Sequence, residues 1–261
     1  GALAAVEPRF DSDVHRPQTT AKPEGNGFRI EGIKCQVPWI EGGNEVLVFA
    51  ESEGSTQGFL VPRDADGLTA ELEKNLGTHA LPMAELTFSG VQVPASARLG
   101  GDTAPGVSEL IDRGRVGLAA CAVGMSRAAL EVSRDYAKER ETFGSPIATR
   151  QAIAFKIADM AIEIDAARLL LYRAAVNADK GLPSAQETSI AKAFCNQAGF
   201  DLCNESMQVM GGTGYSAESL VEYCFRKCRG WQIAGGSNEM MRNRIAEGVF
   251  DRRFSQRPPR P

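Results

Sequence analysis

The sequence predicts an α+β protein: a small antiparallel β-barrel or sandwich over residues 1–104, a C-terminal four-helix bundle over 105–250, and a basic, Pro-rich tail over 251–261. Three observations predict it. Short runs rich in Val, Ile and Phe recur between turn signals in the first part of the chain. From Val107 onward, apolar residues recur at spacings of three and four over long stretches. Between the two patterns lies a Gly/Pro cluster, residues 100–106, of the kind that marks a domain boundary.

The strand segments are residues 28–37, 45–51, 58–62 and 84–93. In the last of these Leu86, Phe88, Val91 and Val93 nearly alternate, and the break at Gly90 reads as a bulge. Gly25-Asn26-Gly27 reads as a hairpin turn. The first helix, 107–139, has Ser108 as its N-cap and a stripe through Leu110, Val116, Leu118, Val123 and Leu130. The second, 149–179, repeats Ile153, Ile157, Met160, Ile164, Ala167 and Leu171, and stops at Gly181-Leu182-Pro183. A third, 184–210, opens on Ser184 with Glu187 three residues on, a capping-box pattern. At 1.5 Å per residue, helices of about 30 residues reach ~45 Å, which suits an antiparallel bundle with short connections.

Bulk properties narrow the function. The 261 residues suffice for two domains. Lys and Arg number 29 against 33 Asp and Glu, and basic residues dominate only the tail, so neither a nucleic acid nor an anionic membrane is the expected partner. The six cysteines, Cys35, Cys121, Cys195, Cys203, Cys224 and Cys228, form no CxxC pair, and four fall in helical patterns. That usage favours small buried thiols in a reducing cytoplasm over a disulfide framework. With only His15 and His79, a His-based zinc site or a Ser-His-Asp triad has little to build with. No signal peptide and no apolar run long enough to span a membrane is evident, so a soluble protein is expected.

The stretch from Gln208 to Ala246 sets glycine turns and a polar loop between helical segments, where packing needs neither. A helix ending in QxxGGxGY (Gln208, Gly211, Gly212, Gly214, Tyr215) is followed by a short amphipathic helix and then by QIxxGxxE (Gln232, Ile233, Gly236, Glu239) opening a last helix. This resembles the C-terminal domain of flavin-dependent acyl-CoA dehydrogenases. Tyr136 to Gln151, YAKERETFGSPIATRQ, resembles the same family's flavin-contacting segment, and Ala5 to Asp13, AVEPRFDSD, the start of its β-domain. The matches are collinear over nearly the whole chain, and the helical domain that precedes this point in the family is absent from it.

The resemblance implies FAD as cofactor, an acyl-CoA thioester as substrate, an electron-transfer flavoprotein as electron acceptor, and a homo- or hetero-oligomer. It implies that Arg140, Thr142, Phe143 and Gln151 contact FAD, mostly that of a neighbouring subunit. A guanidinium fork suits a pyrophosphate, and an aromatic ring packs on the cofactor. Gln208, Gly211 and Gly212 correspond to the element that takes the adenosine diphosphate half, where glycines let backbone approach phosphate closely. Ile233, Ser237 and Glu239 fall where the family contacts the dinucleotide. Glu239 departs from the pattern, because a carboxylate repels a pyrophosphate unless it points at the ribose or a helix N-terminus.

Other departures concern the chemistry. In most of the family a Glu just before the loop glycine takes the α-proton of the thioester while hydride leaves the β-carbon for the flavin; a minority carries that Glu on the first bundle helix, one residue before an Arg. Here the positions are Gly235 and Gly114, the latter preceding Arg115. Arg115 and Asp112 are the substrate-site candidates, and Asp112 or Glu41 is a candidate for a substitute base. The family's Trp-Ile-Thr or Trp-Ile-Ser run aligns with Gln36, Val37 and Pro38, and Pro38 has no N–H for the flavin. A glycine-rich stretch aligns with Arg9-Phe10-Asp11, which would crowd a close backbone approach. Two readings compete: an FAD-dependent acyl-CoA dehydrogenase, and a non-catalytic subunit that pairs with an active homologue and completes its FAD site. A purely structural interaction protein would account for the bundle but not for the dinucleotide motifs.

Overall fold

Burial broadly alternates along residues 27–38 and 83–94, as a sheet buried on one face requires, and is continuous over 48–50 and 57–59; a computed structural model describes the chain at residues 1–9, 11–39, 42–77, 79–100, 106–179 and 184–254. The chain divides into two compact units, 1–107 and 108–261. Phe10, Glu41, the 101–105 part of the expected boundary, the Gly181-Leu182-Pro183 stop and the tail from residue 255 lie outside the described residues.

The first unit is built from β1 (Ala2–Ala4), β2 (Thr20–Glu24), β3 (Gly27–Pro38), β4 (Glu45–Ser52), β5 (Ser55–Pro62), β6 (Leu68–Glu73) and β7 (Met83–Pro94). They form one sheet in the order β1-β4-β2-β3-β7-β6, with β5 on β4. The sheet, expected to be antiparallel, is mixed: β1 and β2 both run parallel to β4. Three strands escaped the sequence reading for physical reasons. β1 is three residues long, β2 (TAKPE) contains a proline and no apolar alternation, and β6 (LTAELE) leaves most of its side chains exposed or half-buried.

The turn and the bulge fall where the glycines put them. β2 and β3 pair up to Glu24↔Gly27, leaving a two-residue turn in which Gly25 has φ +59°. The β3–β7 register slips between Ile30↔Val91 and Glu31↔Ser89, so Gly90, at φ +70°, is the extra residue. The inward faces pool Ile30, Val48, Phe59, Val61, Leu86, Phe88 and Val91 into one core, with Phe28 and Phe59 edge to face at 5.0 Å.

Inside this unit Lys34 is fully buried, its Nζ donating to Glu7 Oε1 at 3.0 Å. The same carboxylate accepts from the Gln18 and Thr19 amides at 2.9 and 2.8 Å and from Thr19 Oγ1 at 2.9 Å. Burial pushes the Glu7 carboxyl up, but the two amides and the ammonium outweigh it, and its pKa lies below the usual value.

The second unit holds α1 (Val107–Glu139), a small hairpin of β8 (Glu141–Thr142) and β9 (Ser145–Pro146), α2 (Gln151–Asp179), α3 (Ala185–Met210), the single turn α4 (Gly212–Tyr215), α5 (Leu220–Trp231) and α6 (Asn238–Phe250). Where a four-helix bundle was expected, α3 lies against α2, α5 and α6, and shares an apolar cluster with α1 and α2 through Ala119, Val123, Ala167, Leu171 and Cys195. The chain enters α2 through a 3-10 turn, Ile147–Thr149, so the helix begins at Gln151 rather than residue 149.

Two expected caps differ in outcome. Ser184 Oγ accepts from the Glu187 amide at 3.1 Å, but the Glu187 carboxylate takes Asn177 Nδ2 at 2.6 Å, so one arm of the capping box is present. Ser108 sits inside the first turn of α1, not at its cap. By length and composition α1 is apolar enough to cross a membrane, contrary to the sequence reading. Its Ala119, Ala122, Ala129 and Ala137 are instead buried in the helical unit.

Removing the Glu7 carboxylate strands a buried ammonium, so Glu7→Ala is expected to destabilise the β unit by about 3–5 kcal/mol in urea unfolding. Because the folded-state pKa is depressed, the carboxylate's contribution is present above the unfolded value near 4.5 and is lost as pH falls through the folded value. Acid unfolding of the wild type and none of this pH dependence in Glu7→Ala is the expected pair of curves.

Candidate functional site

Two segments far apart in sequence meet at one end of α3. α1 stops at Glu139 and the chain turns through the β8–β9 hairpin, whose two-residue turn has Phe143 at φ +53° and Gly144 at φ +77°. α3 stops at Met210 because Gly211 takes φ +59°, its amide closing on Met207 O at 2.8 Å. Between these turns opens a cleft of about 540 Å³ lined by Tyr136, Arg140, Thr142 and Arg150 from the first segment and by Gln208, Gly211, Gly212 and Thr213 from the second. Tyr136 Oη and Thr213 Oγ1 approach to 3.5 Å across it.

The chemistry of the lining is cationic and rich in donors. Arg140 makes no ion pair among the described residues. Arg150 Nη2 donates to Thr142 O and Ser145 Oγ, both at 3.0 Å, which props the hairpin and leaves the rest of the guanidinium beside the cleft. A Cβ added at Gly211 or Gly212 would meet nothing within 4 Å. No crowding neighbour demands glycine at Gly212; its lack of a side chain leaves backbone bare at the cleft, as a closely approaching phosphate requires.

Of the residues expected here, Arg140, Thr142, Gln208, Gly211 and Gly212 come together, while Phe143 and Gln151 do not line the cleft. Phe143 is 99% exposed at the hairpin tip, its ring 6.0 Å from the Arg150 guanidinium, and Gln151 is the exposed first residue of α2. Sequence reasoning missed Tyr136, Arg150 and Thr213. Tyr136 lies one turn before Arg140, whose amide closes on the Tyr136 carbonyl at 2.8 Å just past the end of α1. Arg150 offered a plainer signal, a second guanidinium inside the same motif.

The loop 232–236, between α5 and α6, forms a second constellation. Ser237 Oγ caps α6, accepting from the Met240 amide at 3.4 Å. Glu239 stands exposed in the first turn of α6, its carboxyl held below the usual range by its own amide and the Ser237 hydroxyl. The first turn of a helix is a favourable place for a carboxylate. Ile233 is exposed at the loop.

Beneath the loop, Arg115 Nε donates to Gly235 O at 2.9 Å and its Nη1 to Asp112 Oδ1 at 2.8 Å. Asp112 is thus engaged with Arg115 rather than poised over open space. Lys192, fully buried on α3, donates from Nζ to Trp231 O at 3.0 Å; burial and the Arg115 charge push its pKa down to about 8. In the β unit, Gln36 lies in a second register slip of β3 at φ +54°, its amide bound to Glu73 at 2.9 Å.

The two glycines at the family's base positions differ. Gly114 lies on α1, and an added Cβ would meet nothing within 4 Å. Gly235 has φ +69°, and its Cβ would stand 2.7 Å from Leu118 Cδ1.

Comparison with known proteins places these features in context. Residues 106–250 match the family model described as acyl-CoA dehydrogenase, C-terminal domain. The Bacillus subtilis protein named "Probable acyl-CoA dehydrogenase YngJ" is 37% identical over 260 residues, which cover 96% of this chain and 68% of that protein. The Bos taurus short-chain specific acyl-CoA dehydrogenase, mitochondrial, is 35% identical over 257 residues, covering 94% of this chain and 62% of its own length. A crystal structure of glutaryl-CoA dehydrogenase from Mycobacterium smegmatis has a TM-score of 0.91 at 27% identity, covering 98% of this chain and 67% of that one. The chain spans less than two thirds of the bovine relative it matches.

Alanine at the two base positions should have opposite effects. Gly114→Ala is expected to stabilise by about 0.5–1 kcal/mol, the ordinary gain of removing a mid-helix glycine. Gly235→Ala is expected to destabilise by about 1–3 kcal/mol through its left-handed backbone and the Leu118 clash. Thermal melts of the two single variants check the signs.

Proposed function

This chain belongs to the acyl-CoA dehydrogenase family, and from that premise we propose that it is a flavin-dependent acyl-CoA dehydrogenase subunit whose helical cleft takes the adenosine diphosphate half of FAD. The observation that carries the reading is the convergence of Arg140 and Thr142 with Gln208, Gly211 and Gly212 on one cleft. Family members bind FAD. Arg140 would face the pyrophosphate with its fork of donors, and the bare backbone of Gly211 and Gly212 would let the phosphates approach. Ile233 and Ser237 would border the cofactor from the other loop. When bound, FAD supplies the hydride acceptor for α,β-dehydrogenation of an acyl-CoA thioester, and an electron-transfer flavoprotein is the acceptor after it. The six free thiols, four of them buried, support a cytoplasmic setting.

A second reading, a non-catalytic subunit completing the FAD site of an active homologue, is favoured by Gly235. The loop lacks the base there, and its left-handed backbone disfavours a side chain, which would also have to displace the Leu118 methyl 2.7 Å from its Cβ. Asp112, the candidate substitute base, is held by Arg115 Nη1 at 2.8 Å.

The outward face of α2 supports assembly with a second family chain. Phe155, Ile162, Leu169 and Val176 recur every seven residues and are 60, 67, 69 and 50% exposed, while Met160, Ile164, Ala167, Leu171 and Ala174 on the other face are buried. A strict seven-residue apolar repeat left uncovered is the pattern of a helix–helix seam.

Four variants test this reading. Arg140→Ala should weaken FAD retention about tenfold or more, the worth of a hydrogen bond to a charged group. Arg134→Ala, which removes an exposed guanidinium already bound to Asp135, should leave retention unchanged. Ile162→Glu should shift the sedimentation equilibrium toward smaller species without lowering the helix content. Gly114→Glu, rather than Gly235→Glu, should raise acyl-CoA turnover with an artificial electron acceptor, by no more than the ~10² to 10⁴ that a general base supplies; no gain in a variant that binds FAD and acyl-CoA would favour the non-catalytic subunit.

A further inference from the structure

We propose that Lys192 is a positioning residue for the 232–236 loop: with Asn196 it holds the last carbonyl of α5, and so sets where Ile233 and the Ser237-capped start of α6 stand. Its functional consequence rests on the FAD reading above. Its structural content does not.

Trp231 O accepts from two side chains of α3, Lys192 Nζ at 3.0 Å and Asn196 Nδ2 at 2.7 Å. The donors are four residues apart and so share one helix face. The carbonyl they meet is at the C-terminus of α5, where carbonyls lack helical partners and the helix dipole favours a cation. Four residues on, Arg115 Nε holds Gly235 O at 2.9 Å. Between the two anchored carbonyls, the Ile233 and Ala234 amides fold back on Gly230 O at 3.0 and 2.9 Å, and the Asn238 amide closes on Gln232 O at 3.0 Å. The loop is therefore gripped at both ends by buried cations while Ile233 projects outward.

A buried ammonium is an expensive way to fill space, since an apolar side chain of similar volume would pack there without desolvation. Nor is it needed to join α3 to α5, which already share Cys203, Met210, Val221, Cys224 and Cys228 in an apolar cluster. What Lys192 adds, and a methionine would not, is a donor to one particular carbonyl.

The test uses the full chain with Lys192→Met, which keeps the volume and loses the donor, and Lys192→Gln, which keeps an N–H donor. Amide hydrogen exchange is read at Ile233, Ala234 and Asn238, and FAD and ADP affinities are measured in parallel. Lys192→Met should speed exchange at these amides about tenfold or more, leave α2 unchanged, and weaken FAD while sparing ADP at the Arg140–Gln208 cleft. Lys192→Gln should recover part of both effects. Unchanged loop exchange overturns the proposal. So does loss spread evenly over α2, α3 and α5, or two variants that melt as a whole, since either marks Lys192 as a core residue only. A wild type that binds ADP but no FAD defeats the cofactor reading, and loop exchange still decides the role of Lys192.

Discussion

The desolvation of α3 is the constraint on which the helical unit depends. Thr188, Ser189, Lys192, Asn196 and Ser206 are all fully buried on this one helix. Buried polar groups need partners: Ser189 Oγ donates to Ala185 O within α3, Thr188 Oγ1 has no hydrogen-bond partner among the described residues, and the other three reach neighbouring elements. Lys192 and Asn196 reach the end of α5; Ser206 Oγ donates to Met160 Sδ on α2 at 3.3 Å and lies 3.3 Å from Ser133 Oγ on α1. Polar burial thus fixes the register of α1, α2 and α5 against α3, where apolar contacts alone would tolerate sliding. The C-terminus of the same helix then delivers Gln208 and Gly211 to the cleft. Loop and cleft are two outputs of one buried helix.

Much of this was legible in the sequence, for identifiable reasons. The bounds of α1 follow from an apolar stripe and those of α3 from a Ser cap and a glycine stop, all local signals. The Gly25 turn and the Gly90 bulge were legible because positive φ nearly demands glycine. The parallel pairings of β1 and β2 with β4 were not, because a parallel partner lies far along the chain and leaves no mark at its own residues. Motifs likewise gave Arg140 and Gln208, but Thr213 joins the cleft only through the fold of α4 against Tyr136. Phe143 shows the converse: a residue within the motif that stands clear of the cleft.

The missing carboxylates take on a different meaning once each glycine has its surroundings. Gly114 is an open helical position that a side chain could occupy at little cost, so its identity is not imposed by packing. Gly235 is favoured by its backbone, which is left-handed, and a Cβ there would press on the Leu118 methyl at 2.7 Å. The cleft at the ends of α1 and α3 takes none of its lining from this loop.

The central claim is that the cleft between the ends of α1 and α3 is a flavin dinucleotide site. Native mass spectrometry of the purified chain supplemented with FAD, with the visible flavin absorbance read on the same sample, tests it most directly. The account predicts a chain–FAD complex that free ADP displaces. A chain that remains free of FAD alone and in the presence of a partner dehydrogenase subunit would contradict it.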